Sequence, residues 1–457
     1  MSAVTRRTAL AGLAVSGLPI GARAAGTDLL ISGARLITMD DRLGDLPSAD
    51  VRIRGDRIVA VGVGLPRDGA EIIDGRGAIV LPGFVDTHWH MWNEIARNRV
   101  SSVEGGFAPT MAAVAPFWTP QDSAAGVSLA LSEAAAAGIT TAVNWAHNTR
   151  SPAHARAEYA AHARSGVRGR FAYGYPADAR ADVVMDLADL ARMAAGALDP
   201  MVSLGVCLRG PDRSEEAVWR REWAPARKLG LPISTHTSYD AASAARHPIA
   251  RLAQAGFLGP DTMMVHATHA SDADLALLAK AGAPLSLSPW TELEVGYGVP
   301  PIGRMMAAKV AISLSNDNVV LAGRIDMFAV MKLSIDLLAG ETGSRADGIE
   351  RRALRWATID GARALGMAAS IGSITPGKMA DIIMVRPGEL RSNGDDAVDR
   401  WLTHAAAPED IELVLVGGRS LKRDGKLTRN DIPALAGESI HRMAEIARRA
   451  HIRKEHR

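Results

Sequence analysis

From residue 81 to about residue 370, short apolar runs of strand length alternate with longer alanine-rich stretches, the signature of repeated βα units. Eight runs can be placed: "GFVDTHWH", "GITTAVNWA", "VRGRFAYGY", "MVSLGVCLR", "LPISTH", "DTMMVH", "APLSLSP" and "KVAISLSND". Helix-length segments separate them, such as "TPQDSAAGVSLALSEAAAAG" and "SDADLALLAKAG", the second opening on Ser271 as an N-cap. Before this region, "DLLISGARLITM", "ADVRIRGDRIVAVG" and "EIIDGRGAIV" are β-branched and punctuated by glycine, and read as short strands. Strand patterning returns in "IGSITPGKMADIIMV" and "IELVLVGGRSLKRDGK". The pattern predicts an α/β fold. Residues 81–370 form a TIM-like (β/α)8 barrel, and 28–80 with 371–430 form one small β-sandwich-like domain from both chain ends. Residues 431–457 read as a basic helical tail whose charges are solvated.

Composition narrows the chemistry. Of 457 residues, 47% are hydrophobic and 22% charged, which affords a large core, and the net charge of +2 gives no concentrated basic face for nucleic acid. A small-molecule substrate is expected, and a homo-oligomer is compatible with the chain. A single cysteine, Cys207, excludes an internal disulfide or a thiolate metal cluster, so metal binding must use histidine and carboxylates. Cys207 itself reads as a small buried hydrophobe.

The first residues are of another kind. "TRRTALAGLAVSGLPIGARAAG" has a charged start, an apolar stretch and a small-residue ending, so residues 1–26 read as an export signal. The Arg6–Arg7 pair gives it a twin-arginine character and predicts a periplasmic or exported protein. No later segment is apolar for long enough to span a bilayer, so no membrane enzyme is expected.

Catalytic residues of such barrels gather at the C-terminal strand ends. The first run ends in His88 and His90, the fifth in His236, the sixth in His266 and the eighth in Asp317. Histidines two apart on a strand share one side of it. Any one of the 13 histidines alone is more often a satisfied structural residue, but this set at strand ends of one barrel points to a metal. Three neutral imidazoles and a carboxylate complete a shell for Zn²⁺ or Fe²⁺ with a place left for water. His269 competes with His266 for the sixth strand, and His266 is preferred because it closes "TMMV".

Together, "LPGFVDTHWH", "LPISTH", "MVHATHASD", "SLSNDN" and "WATIDGARALGMAASIGSITPGKMADIIMV" resemble the amidohydrolase superfamily, in its branch of cytosine deaminases and triazine chlorohydrolases. The resemblance implies one divalent metal, Zn²⁺ with Fe²⁺ as the alternative, held by His88, His90, His236 and Asp317. It also implies that His266 polarises the attacking water and that Asp317 takes its proton. Arg209 stands at the end of the fourth run, where two-metal members carry a lysine, so one metal is expected.

One departure bears on the reaction. Most members of this branch carry a glutamate three residues after the fifth-strand histidine, and Tyr239 stands there. A phenol of pKa about 10 does not replace a carboxyl of about 4 near neutrality. The sequence reading therefore places hydrolysis of an amide, urea, carbamate or cyclic amidine first, and deamination of an N-heterocycle second, with Asp240 or Glu292 as stand-in acids. A ligand-binding protein without catalysis is the rival from another class. Trp89, Trp92, Asn93, His147, Arg209 and Tyr239 fall at or beyond strand ends and are the expected substrate contacts. The loop "RGPDRS" lacks the lysine and spacing of a phosphate loop.

Overall fold

A computed structural model describes residues 28–98, 106–388, 397–429 and 432–450. The 1–26 leader lies outside them. All eight apolar runs become parallel strands of one sheet: β6 (Phe84–Trp89), β7 (Ile139–Ala146), β8 (Arg168–Tyr173), β9 (Val202–Cys207), β10 (Ile233–Thr237), β11 (Thr262–His266), β12 (Leu285–Leu287) and β13 (Ile312–Leu314). Helices cover the outside, among them Pro120–Ala136, opened by a Thr119–Asp122 capping box, and Asp272–Ala281, capped by Ser271 as its sequence predicts.

The barrel closes where the sequence places its ligands. The N–H of Asp317 donates to the His88 carbonyl at 3.0 Å, and the N–H of His90 donates to the Asp317 carbonyl at 2.8 Å. Beneath that seam the interior is polar: Thr87 Oγ1 bonds Ser286 Oγ at 2.7 Å and Ser313 Oγ at 3.0 Å, and Ser315 bonds both Ser286 and Ser288. These hydroxyls satisfy one another, so their burial is not left uncompensated.

The chain ends form one mixed sheet of nine strands. β1 (Asp28–Leu36), β2 (Leu46–Arg54), β3 (Arg57–Gly62), β4 (Glu71–Asp74) and β5 (Ile79–Pro82) are joined, through the antiparallel pairing of β5 with β14 (Ile382–Val385), to β15 (Ile411–Val416), β16 (Arg419–Arg423) and β17 (Lys426–Leu427). It has its own apolar core, including Ile31, Leu36, Val51, Ile53, Ile382 and Leu415. Buried Arg168 at the foot of β8 reaches Asp381 at 2.7 Å and ties sheet to barrel. Gly83 lets the β5 to β6 crossing pass this close, since a Cβ there would stand 2.1 Å from the Thr140 side chain.

The tail forms a helix, Ile432–Arg449, and its role is larger than the expected solvated face. Met443 and Ile446 are buried in a cluster with Trp92, Ile95 and Trp118, while Arg442 and Arg449 both pair with Asp122. The helix thus braces the segment Met91–Ala96 that follows the first strand. No helix among the described residues is long and apolar enough to cross a membrane.

Candidate metal centre and active-site cavity

His88, His90, His236, His266 and Asp317 converge at one end of the barrel as a metal site. Each is under a tenth exposed. Strand alternation turns His88 and His90 inward together and Trp89 the other way, where its indole N–H donates to Glu94 at 3.2 Å. The β10–β11 register pairs Thr237 with His266 and so sets His236 beside it, the two rings stacking at 5.1 Å. His269 is directed elsewhere and bonds the Tyr297 carbonyl at 2.6 Å.

The donor set fits a divalent cation. His88 Nε2 lies 3.1 Å from His236 Nε2 and 3.1 Å from Asp317 Oδ1, and His90 Nε2 lies 3.2 Å from the same oxygen. Burial holds His88, His90 and His236 below their ordinary pKa, so they are neutral and present lone pairs. Burial opposes ionisation of Asp317 as well, but His88, then His90 and His266, more than offset it and hold the carboxyl well below its usual range. Neutral imidazoles around an ionised carboxylate are what Zn²⁺ or Fe²⁺ requires.

The backbone is strained here. Ser238, His266, Ala267 and Asp317 all have positive φ, between 44° and 71°, without being glycine. Such conformations cluster where side chains must be aimed against local preference. Asp86 steadies the seam by accepting from the N–H of His88 at 3.1 Å and from both the backbone and side chain of Asn316.

His266 has a partner of its own. Its Nδ1 lies 3.2 Å from Glu292, a fully buried carboxylate that also accepts from the Ser288 N–H. Glu292 therefore orients His266 from behind and does not replace the missing glutamate. Asp240 caps the short helix Ala241–Ala244, accepting from the Ser243 N–H at 2.7 Å, and is not a replacement either.

A cavity of about 670 Å³ opens over the ligands. Of the expected substrate contacts, only His147 lines it, with its ring 4.2 Å from that of His90. Trp92 is buried behind His147 and donates its indole N–H to Nδ1 at 3.2 Å. Nδ1 is thus an acceptor, which leaves the ring proton on Nε2. Burial, then the charge of Arg213, lowers the His147 pKa to about 3, so it is a neutral donor. Trp89 and Asn93 are buried away from the cavity. Arg209 is a correction: it lies two residues beyond β9 and turns outward to buried Glu222 at 2.7 Å and to the carbonyls of Arg180 and Val183. Tyr239 packs at 5.0 Å on Tyr297, and burial raises its hydroxyl pKa further from that of a carboxyl.

Arg213 and Tyr297 line the cavity as well, and neither is among the contacts expected from sequence. Arg213 belongs to the loop "RGPDRS", set aside for its poor phosphate-loop spacing; its place just beyond a barrel strand was the available signal.

The amidohydrolase family pattern matches residues 79–421. The 5'-deoxyadenosine deaminase of Methanosarcina barkeri is 25% identical over 421 residues, covering 88% of this chain and 95% of that protein. The 5-methylthioadenosine/S-adenosylhomocysteine deaminase of Symbiobacterium thermophilum is 27% identical, covering 87% and 94%. Among solved structures, a zinc-bound adenosine deaminase from Xanthomonas campestris superposes with a TM-score of 0.81 at 23% identity, covering 93% of this chain and 99% of that one. Atrazine chlorohydrolase TrzN from Arthrobacter aurescens TC1, also with zinc, gives 0.78 at 22% identity, covering 92% and 100%. At these identities the structural likeness speaks for the fold.

Proposed function

For a chain that belongs to the amidohydrolase family, with this metal site, we propose hydrolytic deamination of a small nitrogen heterocycle. Water adds to the ring carbon that bears the amino group, and ammonia leaves. The observation that carries the reading is the convergence of neutral imidazoles and ionised Asp317 at the floor of a cavity. The relatives named above as deaminases supply the class of reaction and reverse the order reached from sequence, in which amide-type cleavage came first.

His88, His90, His236 and Asp317 would hold one Zn²⁺, the ion bound in both solved neighbours. When bound, such a cation lowers the pKa of water towards neutrality and supplies the nucleophile. Asp317 accepts the proton of the attacking water and returns it to the departing nitrogen. His266, held by Glu292 and with Nε2 3.9 Å from Asp317 Oδ2, polarises the attacking water and steadies the charge on its oxygen. His147 presents its Nε2–H to the substrate ring.

A second reading, cleavage of an amide, urea or carbamate, is favoured by Tyr239, because these substrates need no ring protonation. Zinc-loaded protein incubated with aminopyrimidines, aminopurines, aminotriazines, cyclic amides and ureas separates the two. Ammonia released with a ring carbonyl supports deamination; ring opening or acid formation without it supports the second reading, and no turnover of any of them refutes both. We also propose export, on the strength of the Arg6–Arg7 leader. A mature N-terminus near residue 25 in the periplasmic fraction is the expected result.

A further inference from the structure

The cavity contains a cation that the proposed reaction does not use. Arg213 lies on the loop after β9, and its side chain is accessible from the cavity. Its neighbour Arg209 is paired with Glu222, but among the described residues no carboxylate stands within ion-pairing distance of Arg213. Adjacent Asp212 is engaged by the Ser243 hydroxyl. What Arg213 does approach is a ring of the metal site: Nη1 lies 3.4 Å from His236 Nδ1, and the guanidinium lies 5.4 Å from the centroid of Tyr239.

That approach does not satisfy the guanidinium. His236 turns Nε2 towards His88 and the other ligands, so with a cation bound its proton resides on Nδ1. Arg213 then faces another donor. Neither N–H then serves the other as an acceptor, and the ring that lines the cavity with them is Tyr297, with Tyr239 packed against it. The charge balance agrees: a divalent cation together with Arg213 exceeds the carboxylates of Asp317 and Glu294 that line the cavity.

We propose that Arg213 binds a carboxylate carried by the substrate, so that this protein acts on acidic N-heterocycles in preference to neutral ones. The inference rests on the reading of this cavity as the substrate site. A planar carboxylate matches the fork of one guanidinium, whereas a phosphate calls for more donors than this wall provides. Because Arg213 stands so near His236, the carboxylate belongs on the ring itself or on a short arm close to the attacked carbon.

The test is equilibrium binding by calorimetry to the zinc-loaded full chain, with 4-aminopyrimidine-5-carboxylate and its 5-carboxamide as probes. The wild type is expected to bind the carboxylate about tenfold or more tightly than the carboxamide. R213Q should lose that preference while its carboxamide affinity stays within about twofold, and R213K should recover part of it. Melting curves of both variants report whether the fold is intact, and R213K carries the comparison if R213Q does not fold. A wild type that binds the carboxylate no better than the carboxamide, or a preference that persists in R213Q, overturns the proposal. An Arg213-dependent preference without turnover of any heterocyclic amine sinks the deaminase reading and leaves the anion site standing. Turnover of neutral amines with no such preference does the reverse.

Discussion

The indole N–H of Trp92 donates to Nδ1 of His147 at 3.2 Å, and this one bond decides which nitrogen of His147 faces the substrate cavity as a donor. Trp92 is itself held by the cluster that the C-terminal helix completes through Met443 and Ile446. The sequence chosen at the far end of the chain thus bears on a hydrogen bond at the active site. Trp92→Phe keeps the ring and removes the donor. We expect kcat/KM to fall roughly three- to tenfold, the order of one neutral hydrogen bond, with metal content unchanged. Elemental analysis beside steady-state kinetics checks both halves.

Glu292 acts through His266, and the prediction is a separation of effects. Glu292→Gln preserves volume and keeps an acceptor for the Ser288 N–H, but it removes the charge opposite His266 Nδ1. Losing an orienting carboxylate of this kind costs on the order of 10- to 100-fold in activity. Zinc stoichiometry should stay at the wild-type value, and the pH profile of kcat should shift. A profile that keeps its shape would assign Glu292 to packing alone.

Glu158 on the helix Pro152–Ser165 is fully buried, with Asn144 as its hydrogen-bonding partner at 3.2 Å, and burial raises its pKa to about 7. Its folded pKa exceeds the unfolded value of about 4.3, so the folded state holds a proton that the unfolded state has released. The contribution is fully present below about pH 4 and is lost as pH rises through about 7. Glu158→Gln mimics the protonated form. Urea unfolding across pH 4 to 8 should show wild type losing up to about 3 kcal/mol relative to the variant.

The tie between sheet and barrel should be costly to cut. Arg168 and Asp381 are both buried, and Asp381 also accepts from the Gly417 N–H at 2.7 Å. Asp381→Asn leaves the guanidinium without its counter-charge, for an expected loss of about 3 kcal/mol in unfolding free energy. A loss under about 1 kcal/mol would mean that the two parts hold together without this pair.

The eight strands were legible because each is a short apolar run separated from the next by a helix-length, alanine-rich segment, and the histidines were legible because they end those runs. His88 and His90 could be paired from two-residue alternation alone. Side chains placed by loops were not legible. Arg209 and Arg213 lie on one short loop, yet the first turns outward to Glu222 and the second inward to His236, and nothing local to "RGPDRS" distinguishes them. Tyr297 reaches the cavity only because of the path taken after the helix Pro289–Glu294. Glu292 reads from sequence as a stand-in acid; its position behind His266 depends on how that helix packs.

The proposed activity requires a metal held by the strand-end residues, and the most direct measurement is metal content per chain in wild type and Asp317→Ala, before and after chelation. One divalent ion per wild-type chain, none in the variant, and turnover lost on chelation and restored by Zn²⁺ is the predicted result. A folded wild type that takes up no metal, or retains turnover after complete chelation, contradicts it.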